Sequence, residues 1–270
     1  MVRQKRLRFA GQLGITQTVG YASSYYLPAV LANPIAEEFG ISYQSVFLFA
    51  AAASIVAGLL GPLTGSLIDR FGGRLILPLG SIAFGLGLLL MASSTGILTF
   101  LLAWLVIGVG AAMGLYDAAF ATVVEVFGDE ARRIIAGITL IAGFASTIGW
   151  PITSALSQAG TWRDALVFWA VINLLVCLPL HVFLPGLNGQ SRLERTKARV
   201  AHQNTQQQTR LPRFAVFLTS LLFLLGGFVQ VVMGYHLPGL LAEVALQSSL
   251  ALLAAALLGP GQVLARLLQV

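Results

Sequence analysis

At 270 residues and 28.6 kDa the chain could hold one or two ordinary domains, yet only 10% of its residues are charged, 57% are hydrophobic, and its mean hydropathy is +0.85. A soluble domain carries about 25% charged residues and could not cover its surface with so few, so the chain is read as membrane-embedded. The net charge of +6 does not signal nucleic acid, because the basic residues sit in loops between apolar runs. The single cysteine, Cys177, excludes an intrachain disulfide framework and a thiolate metal cluster.

Crossing the hydrocarbon core takes about 20 apolar residues as a helix. Eight such stretches follow one another, at about 10–32, 46–68, 75–93, 97–124, 135–156, 165–184, 214–237 and 248–268. They are long, rich in Leu, Ala and Gly, and do not alternate, which predicts helices and not the strands of a barrel. Fifteen of the sixteen basic residues fall on one side of this arrangement, and only Arg163 falls on the other. That asymmetry predicts a multi-pass protein of the plasma (inner) membrane with both termini and the long linker in the cytosol. A cleaved signal peptide is the competing reading of the first stretch, but Gln12, Thr16, Gln17 and Thr18 interrupt what should be its apolar centre.

Taken in chain order, the first span is unusually polar. Gln17, Tyr21, Ser24 and Tyr25 recur at helical spacing on one face, which predicts the lining of a wet cavity or, alternatively, hydrogen bonds between helices. In the second span Gly58, Gly61 and Gly65 permit close packing of a neighbour. The loop after it reads Asp69-Arg70-Phe71-Gly72-Gly73-Arg74. A carboxylate at a helix C-terminus gains nothing from the dipole there. Asp69 is therefore expected to answer to a partner elsewhere, such as a helix N-terminus or an arginine; the alternative is a charged anchor for a tight turn. In the fourth span Gly110, Gly114, Asp117 and Ala121 share a face. Asp117 is either a coupling carboxylate for a proton or cation, its pKa raised by burial, or a structural acid bonded to loop backbone. The fifth span places Thr139, Gly143, Ser146 and Trp150 on one face and is expected to kink at Pro151. His181 and His202 read as interfacial and linker residues, and the seventh span offers Gln230, Tyr235 and His236. His236 could bind a solute, carry a proton or cap carbonyls freed by Pro238. No Lys or Arg lies mid-span to bind an anion.

Residues 185–213 are the only long polar stretch, and they divide the chain into a six-span unit, 1–184, and a two-span unit, 214–270. An internal repeat crosses that boundary. Tyr25-Tyr26-Leu27-Pro28 recurs as Tyr235-His236-Leu237-Pro238, and Gly65-x-x-x-Asp69-Arg70 recurs as Gly261-x-x-x-Ala265-Arg266. Two matches in the same order point to a duplicated half, a mark of secondary transporters.

Gly65-Ser-Leu-Ile-Asp69-Arg70-Phe71-Gly72-Gly73-Arg74 resembles the G-x-x-x-D-R-x-G-R signature between helices two and three of the major facilitator superfamily. The resemblance implies an all-α membrane bundle, with a complete six-helix N-terminal half and two helices of the second. It also implies a secondary active transporter (permease, symporter or antiporter) that moves a small solute by alternating access, coupled to a proton or another cation. In that family the signature loop latches the two halves, a role that would fall to Gly65, Asp69, Arg70, Gly72 and Arg74. The family usually has twelve spans and this chain has eight, so the chain alone is expected not to transport. Antiporter elements of helices four and five are replaced by Trp104-Leu-Val-Ile107-Gly108 and Gly143-Phe-Ala-Ser146-Thr147-Ile-Gly149-Trp150-Pro151. Membrane lipid and a small solute are the expected partners; cofactor, metal and nucleic acid are not expected. The competing classes are a non-transporting membrane subunit or scaffold and an intramembrane enzyme. No H-E-x-x-H, G-x-S-x-G or phosphate loop supports the latter.

Overall fold

The computed structural model describes residues 2–185, 212–243 and 248–267. The middle of the predicted linker, with His202, lies outside the described residues. The helices are α1 (Val2–Ala22), α2 (Pro28–Phe39), α3 (Tyr43–Phe71), α4 (Gly73–Ala92), α5 (Ile97–Gly114), α6 (Tyr116–Phe127), α7 (Ala131–Ala142), α8 (Ala145–Ala159), α9 (Trp162–Ile172), α10 (Leu178–Val182), α11 (Arg213–Glu243), α12 (Ser248–Ala256) and α13 (Leu258–Leu267). A 3₁₀ turn over Gly128–Glu130 joins α6 to α7, and a π-turn over Asn173–Cys177 joins α9 to α10. Among the described residues five helical stretches are long and apolar enough to cross a membrane: Tyr43–Phe71, Gly73–Ala92, Ile97–Ala159, Trp162–Val182 and Phe214–Leu241. Helix α1 falls short of that apolarity because Arg3, Lys5, Arg6 and Arg8 fill its first turns and Gln12, Thr16, Gln17 and Thr18 its second half.

Every predicted span coincides with helix, but four of them are broken in mid-course. The first breaks at Ser23–Leu27, where Pro28 opens α2 and the hydroxyls of Ser23 and Ser24 both donate back to the Gly20 carbonyl. The fourth breaks at Leu115, whose backbone is extended, and the fifth at Gly143 and Phe144. The eighth breaks at Leu257, just before Pro260. In hydrocarbon a freed carbonyl has no water to turn to, so side chains from neighbouring helices supply the bond. Gln17 donates to the Gly114 carbonyl at 2.7 Å, Thr18 to Ile141 at 3.2 Å, and Thr147 to Ala256 at 2.7 Å. The break of the fifth span lies two turns before Pro151, which sits inside α8.

Two apolar cores stack along the bundle. One joins Leu31, Val46, Leu88, Phe100, Trp104 and Leu166; the other joins Phe9, Leu13, Ile68, Leu77, Val123 and Ile138. Between them α4 and α5 approach through glycine. A Cβ on Gly80 would lie 2.8 Å from the Gly114 Cα, and one on Gly108 would lie 2.5 Å from the Ala53 carbonyl of α3. The glycines that the sequence offered for packing behave otherwise. A Cβ on Gly58, Gly61 or Gly65 would meet nothing within 4 Å, and Gly58 lines the cavity described below.

The two ends of the bundle differ in charge. One gathers Lys5, Arg6, Arg8, Arg70, Arg74, Arg132 and Arg133, placed together by the contacts of Arg6 with Glu130, Lys5 with the Phe127 ring, and Arg8 and Arg74 with the carbonyls of Phe183 and Val182. The other carries Arg163, paired with Glu38 and bonded to the Ser94 carbonyl. Helices α12 and α13 pack on α8, and α11 packs on α2 while leaving Phe214, Phe217, Phe223 and Phe228 exposed.

Candidate functional site: an aromatic cavity between α1, α3, α5, α6 and α11

The broken first and fourth spans meet α3 and the far end of α11 around a cavity of about 400 Å³. Its walls are largely apolar, with aromatic rings contributed by Tyr21, Tyr25, Trp104, Tyr116 and Tyr235. Tyr21 and Tyr116 stand 4.8 Å apart between ring centroids, and Tyr116 stacks in turn on Phe120. Trp104 is 3% exposed, and its indole N–H has no acceptor among the described residues. Asp117 is the one charged side chain among the lining residues, and no Lys, Arg or His is among them. It sits exposed in the first turn of α6, immediately after the break at Leu115, where the free N–H groups of a helix start favour a negative charge. Ten residues of helix, roughly 15 Å, separate it from Phe127 and the basic end.

Three of the six hydroxyls lining the cavity direct their hydrogens to backbone carbonyls. Ser24 donates to Gly20 at 2.6 Å, Ser54 to Ala50 at 3.1 Å, and Tyr25 to the Gln230 carbonyl of α11 at 2.9 Å.

Toward the end opposite the basic residues Tyr25 and Tyr235 of the lining continue into an aromatic layer. Tyr25 and Tyr235 lie 5.1 Å apart, Phe47 lies 5.3 Å from Tyr235 and 4.9 Å from His236, and Tyr43 continues the layer at 5.0 Å from Phe47. The two copies of the sequence repeat therefore touch each other through equivalent tyrosines. A Cβ on Gly234 would fall 2.6 Å from the Tyr25 ring, so the approach of α11 depends on glycine there.

Of the residues singled out in the sequence, Tyr21, Ser24, Tyr25 and Asp117 line this cavity, together with Tyr235. Gln17 does not: it is fully buried and spends its amide on Gly114, so the interhelical reading holds for it. Ser146 and Trp150 are buried elsewhere; Trp150 packs on Tyr26, Ala255 and Ala256, and Ser146 faces Gly259 of α13. Gln230 contributes its carbonyl while its side chain is exposed, and His236 stacks on Phe47 outside the lining. The helical spacing that joined Gly110 and Gly114 to Asp117 does not run through Leu115, so Asp117 reaches the cavity because of the break. It is exposed there, not buried as the coupling reading of the sequence expects. His181 is 2% exposed, held between Ser81 at 2.8 Å and Thr16 at 2.9 Å.

At the basic end Asp69 and Arg70 are exposed, and Gly72 takes φ 91°, a turn no other residue enters freely. The reading of the sequence missed Gly73 and Glu125. Gly73 donates its N–H to the Glu125 carboxylate at 3.0 Å, and a Cβ there would lie 1.8 Å from the Thr122 hydroxyl. Glu125 thus sits on the N-terminus of α4, the kind of site expected for Asp69. The pair of glycines inside the signature was the available signal.

The sequence profile of the Major Facilitator Superfamily matches residues 13–269. The 4-hydroxybenzoate transporter PcaK of Pseudomonas putida is 29% identical over 159 residues, which cover 57% of this chain and 35% of the transporter. The MFS-type transporter YhcA of Bacillus subtilis is 29% identical over 138 residues, covering 51% of this chain and 25% of that protein. The chain thus matches about a third and a quarter of the length of these two relatives. The crystal structure of a D-xylose-proton symporter superposes with a TM-score of 0.68 at 16% identity, over 96% of this chain and 66% of that one. At that identity the likeness establishes the fold.

Proposed function

The chain belongs to the Major Facilitator Superfamily and is a multi-pass integral membrane protein; from that premise we propose that it serves a secondary transporter that moves a small solute by alternating access. The carrying observation is a cavity lined by the two repeat copies, Tyr25 and Tyr235, which touch each other from the two sides of the linker. The basic end faces the cytosol, as the charge asymmetry requires. The aromatic layer then closes the cavity on the outer side, and residues 1–184 and 214–270 form bodies of the first and second halves. Asp117 meets the positive charge that the cycle carries, whether proton, coupling cation or cargo. The signature loop, with Asp69 and Arg70 exposed at the basic end, governs the opposite gate.

The test is access from both sides. Cysteine placed in the cavity as Ala53→Cys is exposed to a membrane-impermeant thiol reagent in vesicles of either orientation. Native Cys177 is buried and stays silent. Labelling from both faces is expected, with outer labelling abolished when Tyr25→Cys and Tyr235→Cys are joined by a disulfide. Labelling from one face alone under all conditions contradicts transport.

A further inference from the structure

We infer that the solute recognised by this cavity is an organic cation, a protonated amine or quaternary ammonium on an aromatic or apolar body. This inference rests on the transport reading above and names the substrate class of the same site.

Three observations converge. First, the sign of the charge is fixed on one side: Asp117 is present, and no basic side chain is among the lining residues. An anion entering here would meet a carboxylate and no basic side chain among the lining residues, whereas a cation meets a counter-charge held at a helix start. Second, the walls supply ring faces. Tyr21 and Tyr116 pack at 4.8 Å with Asp117 following directly in sequence, and Trp104, Tyr25 and Tyr235 complete a box of five aromatic residues. The negative face of such rings attracts a cation, and several rings around one site recognise ammonium groups that cannot themselves donate hydrogen bonds. Third, the cavity is poorly equipped for a polyol. A sugar needs many convergent donors and acceptors, and three of the six lining hydroxyls, those of Ser24, Ser54 and Tyr25, already direct their hydrogens to backbone carbonyls. A cation with an apolar body asks little of those hydroxyls and uses the apolar wall. A volume of about 400 Å³ admits a single-ring ammonium with room to spare.

The experiment is equilibrium binding to the purified full chain in nanodiscs, read by titration calorimetry. The probes are phenyltrimethylammonium, 4-hydroxybenzoate and D-xylose. The cation is expected to bind saturably and roughly tenfold or more tighter than either of the others. Asp117→Asn is expected to weaken it by about tenfold, and Asp117→Glu to keep it within about threefold. Tyr21→Phe retains the ring and leaves affinity unchanged, whereas Tyr21→Leu loses about threefold to tenfold. A purely structural role for Tyr21 would not produce that split. Saturable binding of the anion or the polyol as tight as that of the cation overturns the inference. So does a lack of saturable cation binding, or cation binding that Asp117→Asn leaves intact. Binding requires no change of access. Two-sided labelling of Ala53→Cys without cation binding therefore removes only the substrate class, and cation binding without two-sided labelling removes only the transport reading.

Discussion

The two ends of the bundle are tied in different ways, and in the proposed cycle the difference separates scaffold from gate. At the basic end the ties are polar and charge-assisted: Gly73 to Glu125, Arg6 to Glu130, Arg74 and Arg8 to the last carbonyls of the α10 region. All of them join helices within residues 2–185. Parting Gly73 from Glu125 strands a carboxylate or an N–H in a partly buried place, and hydrogen bonds to charged groups are worth about 1.5–3 kcal/mol each. At the opposite end the contact between α1–α3 and α11 is a layer of rings that includes a hydrogen bond from Tyr25 to Gln230. Ring pairs contribute about 0.5–1.5 kcal/mol each, so the layer as a whole holds a few kcal/mol. That is the range in which differential binding of a solute can reverse a two-state balance, since moving from 1:99 to 99:1 takes about 5.5 kcal/mol. Polar ties join the helices of residues 2–185 to one another; the contact with α11 is aromatic, and in the proposed cycle it is the one that parts.

The sharpest break of this contrast comes at Gly73. Gly73→Ala drives a methyl into Thr122 and pushes α4 off the Glu125 carboxylate. Such overpacking costs about 1–3 kcal/mol, to which the lost bond adds. Thermal unfolding in detergent should show a marked fall in midpoint, partly recovered by adding Thr122→Gly. An unchanged midpoint would mean that the α4–α6 contact is slack. A smaller effect, of another kind, is expected at the opposite end. Tyr25→Phe keeps the ring pair with Tyr235 and deletes only the bond to Gln230. The unfolding midpoint should hardly move, while outer-side labelling of Ala53→Cys rises about threefold to tenfold, the worth of one hydrogen bond of about 0.5–1.5 kcal/mol. A fall in stability without a change in labelling would make Tyr25 a scaffold residue.

The smallest effect concerns the single ion pair near the aromatic end. The Arg163 guanidinium, hydrogen-bonded to Glu38, holds that carboxyl below its ordinary value of 4.5, with the Trp162 indole N–H as a second donor. A lowered folded value means that the pair stabilises the fold above about pH 4.5 and that this contribution disappears as pH falls through the folded value. The pair is partly exposed, so its worth is under about 1 kcal/mol. The unfolding midpoint of the wild type should decline below pH 4.5 slightly more steeply than that of Glu38→Gln. Parallel curves would show that the pair contributes nothing.

Much of this arrangement is legible in the amino-acid sequence. The length of the apolar runs locates helix in each span, and the repeat points to Tyr25 and Tyr235, which prove to be in contact. What periodicity could not carry was the set of breaks. Leu115 and Phe144 are ordinary helix formers, and only the tertiary partners, Gln17 and Thr18, make a break tolerable there. Everything downstream of a break rotates, which is why Asp117 reaches the cavity on a different argument and why Ser146 and Trp150 turn to α12 and α13 instead. Glycine spacing misleads for a related reason. Gly58, Gly61 and Gly65 look like Gly110 and Gly114 in sequence, but spacing names a face without naming what covers it. His181 lacks a visible partner in the sequence because Thr16 and Ser81 lie 165 and 100 residues away.

The central claim, that the aromatic layer parts while the basic-end ties of residues 2–185 hold, is tested most directly by distance measurements between paired spin labels in nanodiscs. One pair, Ser42→Cys with Leu240→Cys, spans the aromatic layer; the other, Ser66→Cys with Asp129→Cys, spans the basic end from α3 to the turn after α6. With and without phenyltrimethylammonium, the first pair is predicted to show two distance populations whose ratio shifts, and the second a single unchanged distance. One fixed distance for the first pair in both conditions, or a shift confined to the second, would contradict the account.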